Sequence, residues 1–129
     1  LERQAVQANG KRILVVEDDR FLRLACAAGL RQAGFAVLTA EDGEQGLAVA
    51  RAERPDLILL DMLMPKLPGL EVLRILKAEE AMRAIPVLIL SNSSRERDVE
   101  EAMRLGAVGY WVKSNLSLEE LASRVATLL

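Results

Sequence analysis

The sequence contains no histidine among its 129 residues, which removes the commonest general base and the commonest metal ligand. There is one cysteine, Cys26, inside an apolar helical pattern. A disulfide framework is therefore excluded, and a buried thiol in a reducing compartment is expected. No apolar run approaches the length of a membrane span, and the polar start has no signal-peptide core. The expectation is a cytoplasmic protein without membrane insertion. An excess of one charge is also missing: 17 Lys and Arg stand against 19 Asp and Glu, a net charge of −2. That balance offers no general surface for nucleic acid or for a membrane. With 51% hydrophobic and 28% charged residues, the chain reads as one globular domain that needs no metal or disulfide staple. Its first residue is Leu rather than Met, compatible with a piece of a longer protein.

What is present is organised around Leu57-Ile58-Leu59-Leu60-Asp61. Four aliphatic residues in a row, introduced by Pro55 and Asp56, read as a short strand buried on both faces, as in parallel sheets. Asp61 ends the strand, and Pro65, Pro68 and Gly69 turn the chain away. A lone Asp there is commonly a turn residue or a helix cap, so its meaning depends on what the other strands deliver to the same edge.

Residues 1–10 are mixed and polar and read as a tail or linker before a domain over residues 11–129. Arg12 to Val16 is the first strand, ended by Glu17-Asp18-Asp19; Asp18 or Asp19 can cap the helix from Arg20 to about Ala33. In that helix Phe21, Leu22, Ala25, Cys26 and Leu30 recur at helical spacing, and Gly34 closes it. Phe35 to Ala40 is a second strand, followed by a turn at Asp42-Gly43 and a helix to about Arg54 with Leu47 and Ala50 inward. After the Asp61 strand come a helix over about Gly69 to Glu79, a strand over Val87 to Leu90, a helix over Arg95 to Leu105 and a strand over Gly109 to Val112. Ser117 caps a final helix through Ala126. Five strand–helix units with short links predict an α/β fold: a doubly wound parallel sheet of order 2-1-3-4-5, flavodoxin-like in topology.

In that order the first and third strands are neighbours, so Glu17, Asp18 and Asp61 converge at the carboxyl edge, where ligands bind in such sheets. Ser91 ends the fourth strand and Lys113 the fifth. Converging carboxylates repel, which raises their pKa or demands a cation. Oxygen donors without His or Cys suit Mg²⁺, and a hydroxyl with an ammonium opposite would complete a phosphate clamp. The bland alternative is a set of unrelated, solvated strand-end charges.

Ile13-Leu14-Val15-Val16-Glu17-Asp18-Asp19, Glu41-Asp42-Gly43, Pro55 to Asp61 with Met64-Pro65 and Gly69, Pro86 to Ser91, and Gly106-Ala107 through Lys113 together resemble the receiver domain of bacterial response regulators. The resemblance covers about Lys11 to Leu129. It implies that Asp61 accepts a phosphoryl group from a histidine kinase or histidine phosphotransfer protein. It implies Mg²⁺ held by Asp18, Asp61 and the backbone carbonyl of Leu63, with Glu17 acting through water. Ser91 would bind the phosphoryl oxygen, Lys113 would pair with it, and Tyr110 would be an aromatic switch; for Trp111, packing on an edge strand is the expected role. Output would pass through the fourth helix, fifth strand and fifth helix to a protein partner or an attached output domain, with no direct nucleic-acid contact. Such a domain is no turnover enzyme, since it catalyses only its own phosphorylation and dephosphorylation.

Some positions depart from the family's habit. Ser114 stands where proline usually follows the lysine, so a trans Lys113–Ser114 bond and a displaced loop are expected. Asn92 replaces the usual Ala or Gly. The loop after the fifth strand lacks the acidic pair and Lys-Pro-Phe step that accompany dimers through this face. Leu63, Asn92 and Ser93 occupy positions that modulate dephosphorylation; Leu63 cannot orient a water and Ser93 is short for the task, which predicts slow loss of the phosphoryl group, while Asn92 could either narrow the approach or hold the water. Rival readings are a flavodoxin-like electron carrier, disfavoured because Glu17-Asp18-Asp19 would repel a flavin phosphate, and an aspartyl-phosphate phosphatase. A degenerate receiver acting only as a binding module is the remaining alternative.

Overall fold

Leu57 to Asp61 forms the central strand, and every one of its residues is buried. The computed structural model describes residues 10–129, so the tail expected over residues 1–10 lies, except for Gly10, outside the described residues. The strands are β1 (Arg12–Val16), β2 (Ala36–Ala40), β3 (Leu57–Asp61), β4 (Val87–Ser91) and β5 (Gly109–Val112). The helices are α1 (Arg20–Gln32), α2 (Gly43–Glu53), α3 (Gly69–Ala78), α4 (Glu96–Arg104) and α5 (Leu118–Leu128), with a short 3₁₀ turn at Lys113–Asn115. The sheet is parallel, in the order β2-β1-β3-β4-β5, as the strand–helix alternation predicts.

Side chains alternate across the sheet, and the two faces build two cores. Leu14, Val16, Ile58, Leu60, Val87 and Ile89 face α2, α3 and α4, where Leu47, Leu73, Leu76 and Ala102 meet them. Ile13, Val15, Leu57, Leu59, Leu88 and Leu90 face α1 and α5, where Cys26, Leu30, Leu121 and Val125 meet them. Each fully buried aliphatic side chain contributes about 1.5–3 kcal/mol. The central strands are therefore the rigid element from which the strand-end residues project.

Capping follows the sequence signals. Asp19 accepts from Leu22 N–H and starts α1, Asp42 starts α2, and Ser117 with Glu120 forms a reciprocal capping box on α5. Gly34, with φ +103°, ends the α1 turn. No peptide bond among the described residues is cis, so Lys113–Ser114 is trans, as expected.

One helical face differs from expectation. Phe21 is 85% exposed. The stripe that α1 buries is Leu22, Cys26, Ala27 and Leu30, about one position round from the one read in the sequence, and Phe21 lies with Leu24 on the outer side. Small shifts of boundary accompany this: β2 begins at Ala36, β4 extends to Ser91, α4 starts at Glu96, and α5 continues to Leu128.

Gly69 is held by close approach. Its N–H donates to Met62 O at 2.9 Å, and an added Cβ would collide with the Asp61 carbonyl and come within 2.8 Å of Met62 Cα. Backbone cannot yield there as a flexible side chain would. Gly69→Ala is expected to destabilise the protein by about 2–3 kcal/mol. Gly29→Ala, inside α1 with only Leu118 Cβ nearby at 3.8 Å, is expected to stabilise it by up to about 1 kcal/mol. Urea unfolding of the two variants beside the wild type checks both signs.

Candidate functional site

Strand register brings the strand-end groups together. Val16 pairs with Leu60, so the next residues, Glu17 and Asp61, stand side by side; Ser91 pairs with Val112, so Lys113 follows one step further. Glu17 is anchored by its N–H on Ala40 O, and Met62 N–H on Leu90 O fixes the end of β3. Glu17, Asp61 and Lys113 all continue the alternation of the α1/α5 face, and they meet. Lys113 Nζ lies 2.9 Å from Glu17 Oε1 and 3.0 Å from Asp61 Oδ1. Glu17 and Asp61 are almost fully buried, whereas Asp18 is exposed.

These groups form the floor of an open cleft of about 460 Å³, with Leu63, Asn92 and Ser114 on its walls. Leu63 is 71% exposed there. Ser91, Ser93 and Tyr110 are not on its walls. Ser91 continues the other face of β4, with Val87 and Ile89, and its hydroxyl donates to Met62 Sδ at 3.6 Å while accepting from Ser93 N–H at 3.0 Å. Tyr110 also belongs to that face, packs against the core there, and donates its hydroxyl to Ser93 O at 2.8 Å. Ser93 Oγ is turned to Asp98 Oδ2 at 2.5 Å. Trp111 packs on the α1/α5 core with Arg124 5.5 Å over its ring.

Two contributors carried no reading in the sequence. Arg23 donates to the backbone carbonyls of Glu17 at 2.9 Å and Asp18 at 3.4 Å, one helical turn beyond the Asp19 cap, and so braces the acidic loop. That spacing from the cap was the available signal. Asp98, in the first turn of α4, orders the loop after β4, and no spacing rule marks it.

The charges do not balance: three carboxylates face one ammonium. Burial, then the negative charge of Glu17, push Asp61 up to about 7 from its ordinary 3.8. The hydrogen bond and charge of Lys113 pull downward without cancelling them, and the Asp18 carboxyl adds a further upward push. Burial works against the Lys113 ammonium, but its contacts with Glu17 and Asp61 win and raise its pKa. Burial and the Glu17 charge push the Cys26 thiol up to about 11, so it stays protonated.

The donor set fits a hard divalent cation. Glu17, Asp18 and Asp61 each offer a carboxylate oxygen, and those atoms lie within 4.8 Å of one another. Lys113 is the one cation paired with Asp61 among the described residues, the Asp18 carboxyl lies within hydrogen-bonding reach of it, and no backbone N–H donates to the Leu63 carbonyl. Clustered carboxylates with a single ammonium between them are costly to bury unless a further cation reaches them.

The raised Asp61 pKa sets a sign. A carboxylate whose pKa is higher folded than unfolded destabilises the fold above that pKa, and the cost vanishes below the unfolded value. Asp61→Asn is therefore expected to stabilise the metal-free protein at pH 8 by roughly 1–3 kcal/mol, allowing for solvent in the open cleft. The gain shrinks through pH 7 to 4 and is offset at pH 8 by a divalent cation, which binds the wild type. Denaturant midpoints against pH, with and without the cation, check this.

Comparison with known proteins agrees with the geometry. Residues 13–126 match the response regulator receiver domain family. The chain is 39% identical over 119 residues to the alkaline phosphatase synthesis transcriptional regulatory protein PhoP of Bacillus subtilis, covering 92% of this chain and 48% of that protein. It thus spans about half the length of such curated relatives. Chemotaxis response regulator CheY4 of Vibrio cholerae superposes with a TM-score of 0.86 at 29% identity, over 92% of this chain and 98% of that one. The Mn²⁺-bound form of response regulator Rcp1 superposes with a TM-score of 0.78 at 31% identity, over 92% of this chain and 91% of that one. No described helix is long and apolar enough to cross a membrane. The strand order, the acidic cluster of Glu17, Asp18 and Asp61 beside Lys113, and these likenesses lead to one conclusion: the chain belongs to the response regulator receiver domain family of bacterial two-component signalling.

Proposed function

We propose that Asp61 is the phosphoacceptor of this receiver and that it takes the phosphoryl group from a histidine kinase or histidine phosphotransfer protein in a Mg²⁺-dependent reaction. The observation that carries this reading is the state of Asp61: a buried carboxylate on the cleft floor, paired with Lys113 and grouped with the carboxylates of Glu17 and Asp18.

The chemistry follows from those groups. An Asp61 oxygen attacks phosphorus as the bond to the donor's imidazole nitrogen breaks, and the electron pair of that bond leaves with the imidazole. The acceptor needs little activation, but the charge on the transferring group has to be neutralised. Lys113, already 3.0 Å from Asp61, supplies one positive charge. Asp18, Asp61 and the Leu63 carbonyl would hold Mg²⁺ directly and Glu17 through water, and the bound ion would neutralise the remaining phosphoryl charge. The likeness to Mn²⁺-bound Rcp1 supports a divalent ion at this place. Arg23 keeps the acidic loop in position, and Leu63 presents an exposed apolar side chain on the cleft wall.

The product carries more negative charge and more acceptor oxygens than a carboxylate. Ser91 would turn from Met62 and Ser93 toward it, and Tyr110, already packed inward with its hydroxyl 3.6 Å from Met62 Sδ, would fill the space vacated. The face of α4, β5 and α5 would then change for a protein partner or an attached output domain. With a phosphohistidine donor or acetyl phosphate plus Mg²⁺, intact-mass measurement is expected to show one phosphate adduct on the wild type and none on Asp61→Ala. Equal labelling of both would remove Asp61 from the role.

The reading extends to the lifetime of the signal. Hydrolysis needs a water in line with phosphorus, opposite the Asp61 oxygen. Leu63 cannot orient one, and the Ser93 hydroxyl is committed to Asp98. Of the three, Asn92 is the one that presents a polar side chain on the cleft wall. Slow dephosphorylation is expected, with Leu63→Asn accelerating it about ten-fold. The measurement is phosphate loss from the labelled chain; unchanged decay in Leu63→Asn, with slower decay in Asn92→Ala, would assign water positioning to Asn92 instead.

A further inference from the structure

The loop between β4 and α4 carries a chain of hydrogen bonds centred on Ser93. Its N–H donates to Ser91 Oγ at 3.0 Å, and its carbonyl accepts from the Tyr110 hydroxyl at 2.8 Å. Its own hydroxyl donates to Asp98 Oδ2 at 2.5 Å and accepts from Arg95 N–H at 3.2 Å. Every polar group of Ser93 is therefore engaged. Arg95, the residue before α4, makes no side-chain cap, so the Ser93–Asp98 contact is what ties the first turn of α4 to the strand-end loop. Arg95 Nε also reaches Asp98 Oδ2 at 3.2 Å.

We propose that Asp98 is a positioning residue that acts through Ser93, holding the loop so that Ser91 stays turned toward Met62, and thereby opposing the phosphoryl-bound arrangement. The proposal rests on the reading of Asp61 as phosphoacceptor and Ser91 as the hydroxyl that reaches the phosphoryl group. Its physical basis is the shared hub. If Ser91 swings toward Asp61, Ser93 N–H loses its acceptor in a half-buried place, and the loop must shift to find another. A shift strains the Ser93–Asp98 bond. That bond is charge-assisted, because the Ser93 hydroxyl, followed by the Arg95 charge, holds the Asp98 carboxyl below its usual range. Phosphoryl binding at Asp61 thus has to work against an anchor on α4, and the same anchor couples the site to that helix.

Met62 is a built-in reporter, since its sulfur lies 3.6 Å from both the Ser91 and Tyr110 hydroxyl oxygens. The probe is beryllofluoride with Mg²⁺, a phosphoryl mimic that needs no kinase. Asp98→Ala and Ser93→Ala are expected to bind it about ten-fold more tightly than wild type, and the double variant no more tightly than either single one. The Mg²⁺ affinity of Asp98→Ala is expected to be unchanged. Without the mimic, the Met62 methyl resonance of each single variant should move along the line joining free and mimic-bound wild type. Adding Ser91→Ala should abolish the tightening. Equal mimic affinities with an unmoved Met62 signal, or a lower melting temperature without tighter binding, would overturn the anchor while leaving the phosphoacceptor reading standing. Uptake by neither wild type nor variants would overturn both.

Discussion

Lys113 is the hinge of the structure's electrostatics. Its ammonium bridges Glu17 and Asp61 across the ends of β1, β3 and β5, and no other cation among the described residues forms an ion pair with those two carboxylates. One positive charge against Glu17, Asp18 and Asp61 gives a cluster that folds but remains under-neutralised, with Asp61 held far from its ordinary titration range. Burial makes the imbalance matter. In water the same charges would be screened to little effect, whereas at the buried ends of β1 and β3 the repulsion between Glu17 and Asp61 is large. The fold accepts that cost because the rest of the sheet packs two mainly aliphatic layers, in which the buried Ser91 and the Tyr110 hydroxyl find their own hydrogen-bond partners.

The backbone architecture and the acidic centre were both legible in the sequence, for the same reason. A buried parallel strand is a run of aliphatic residues, and the first residue that breaks the run must stand at the sheet's edge. Glu17, Asp61 and Lys113 are such residues, and the register of β1, β3, β4 and β5 then leaves them little choice but to meet. Ser91 is also a strand-end residue, but alternation along β4 sends it to the opposite face, beside Met62. Counting two-residue steps from Val87 would have revealed this; listing strand ends did not.

Other features were not legible because they depend on tertiary choices. The α1 helix has apolar residues at Phe21, Leu22, Leu24, Ala25, Cys26 and Ala27, enough to define more than one stripe. Packing against the sheet selects Leu22, Cys26 and Leu30 and leaves Phe21 outside. Asp98 sits among Glu96, Glu100 and Glu101, and nothing in that run distinguishes it. Its significance arises only when the loop folds Ser93 back onto it. Residues whose part depends on strand periodicity were readable one at a time; those that depend on a loop's path were not.

The central claim is that Asp61 is a buried carboxylate kept under-neutralised until a cation arrives. Carbon-13 NMR of the Asp61 side-chain carboxyl, titrated against pH, reads this directly. In the metal-free protein the midpoint is expected near 7, and saturating Mg²⁺ should lower it by more than about one unit as the ion stabilises the charged form. A midpoint near 4 in the metal-free protein, unmoved by Mg²⁺, would contradict the claim.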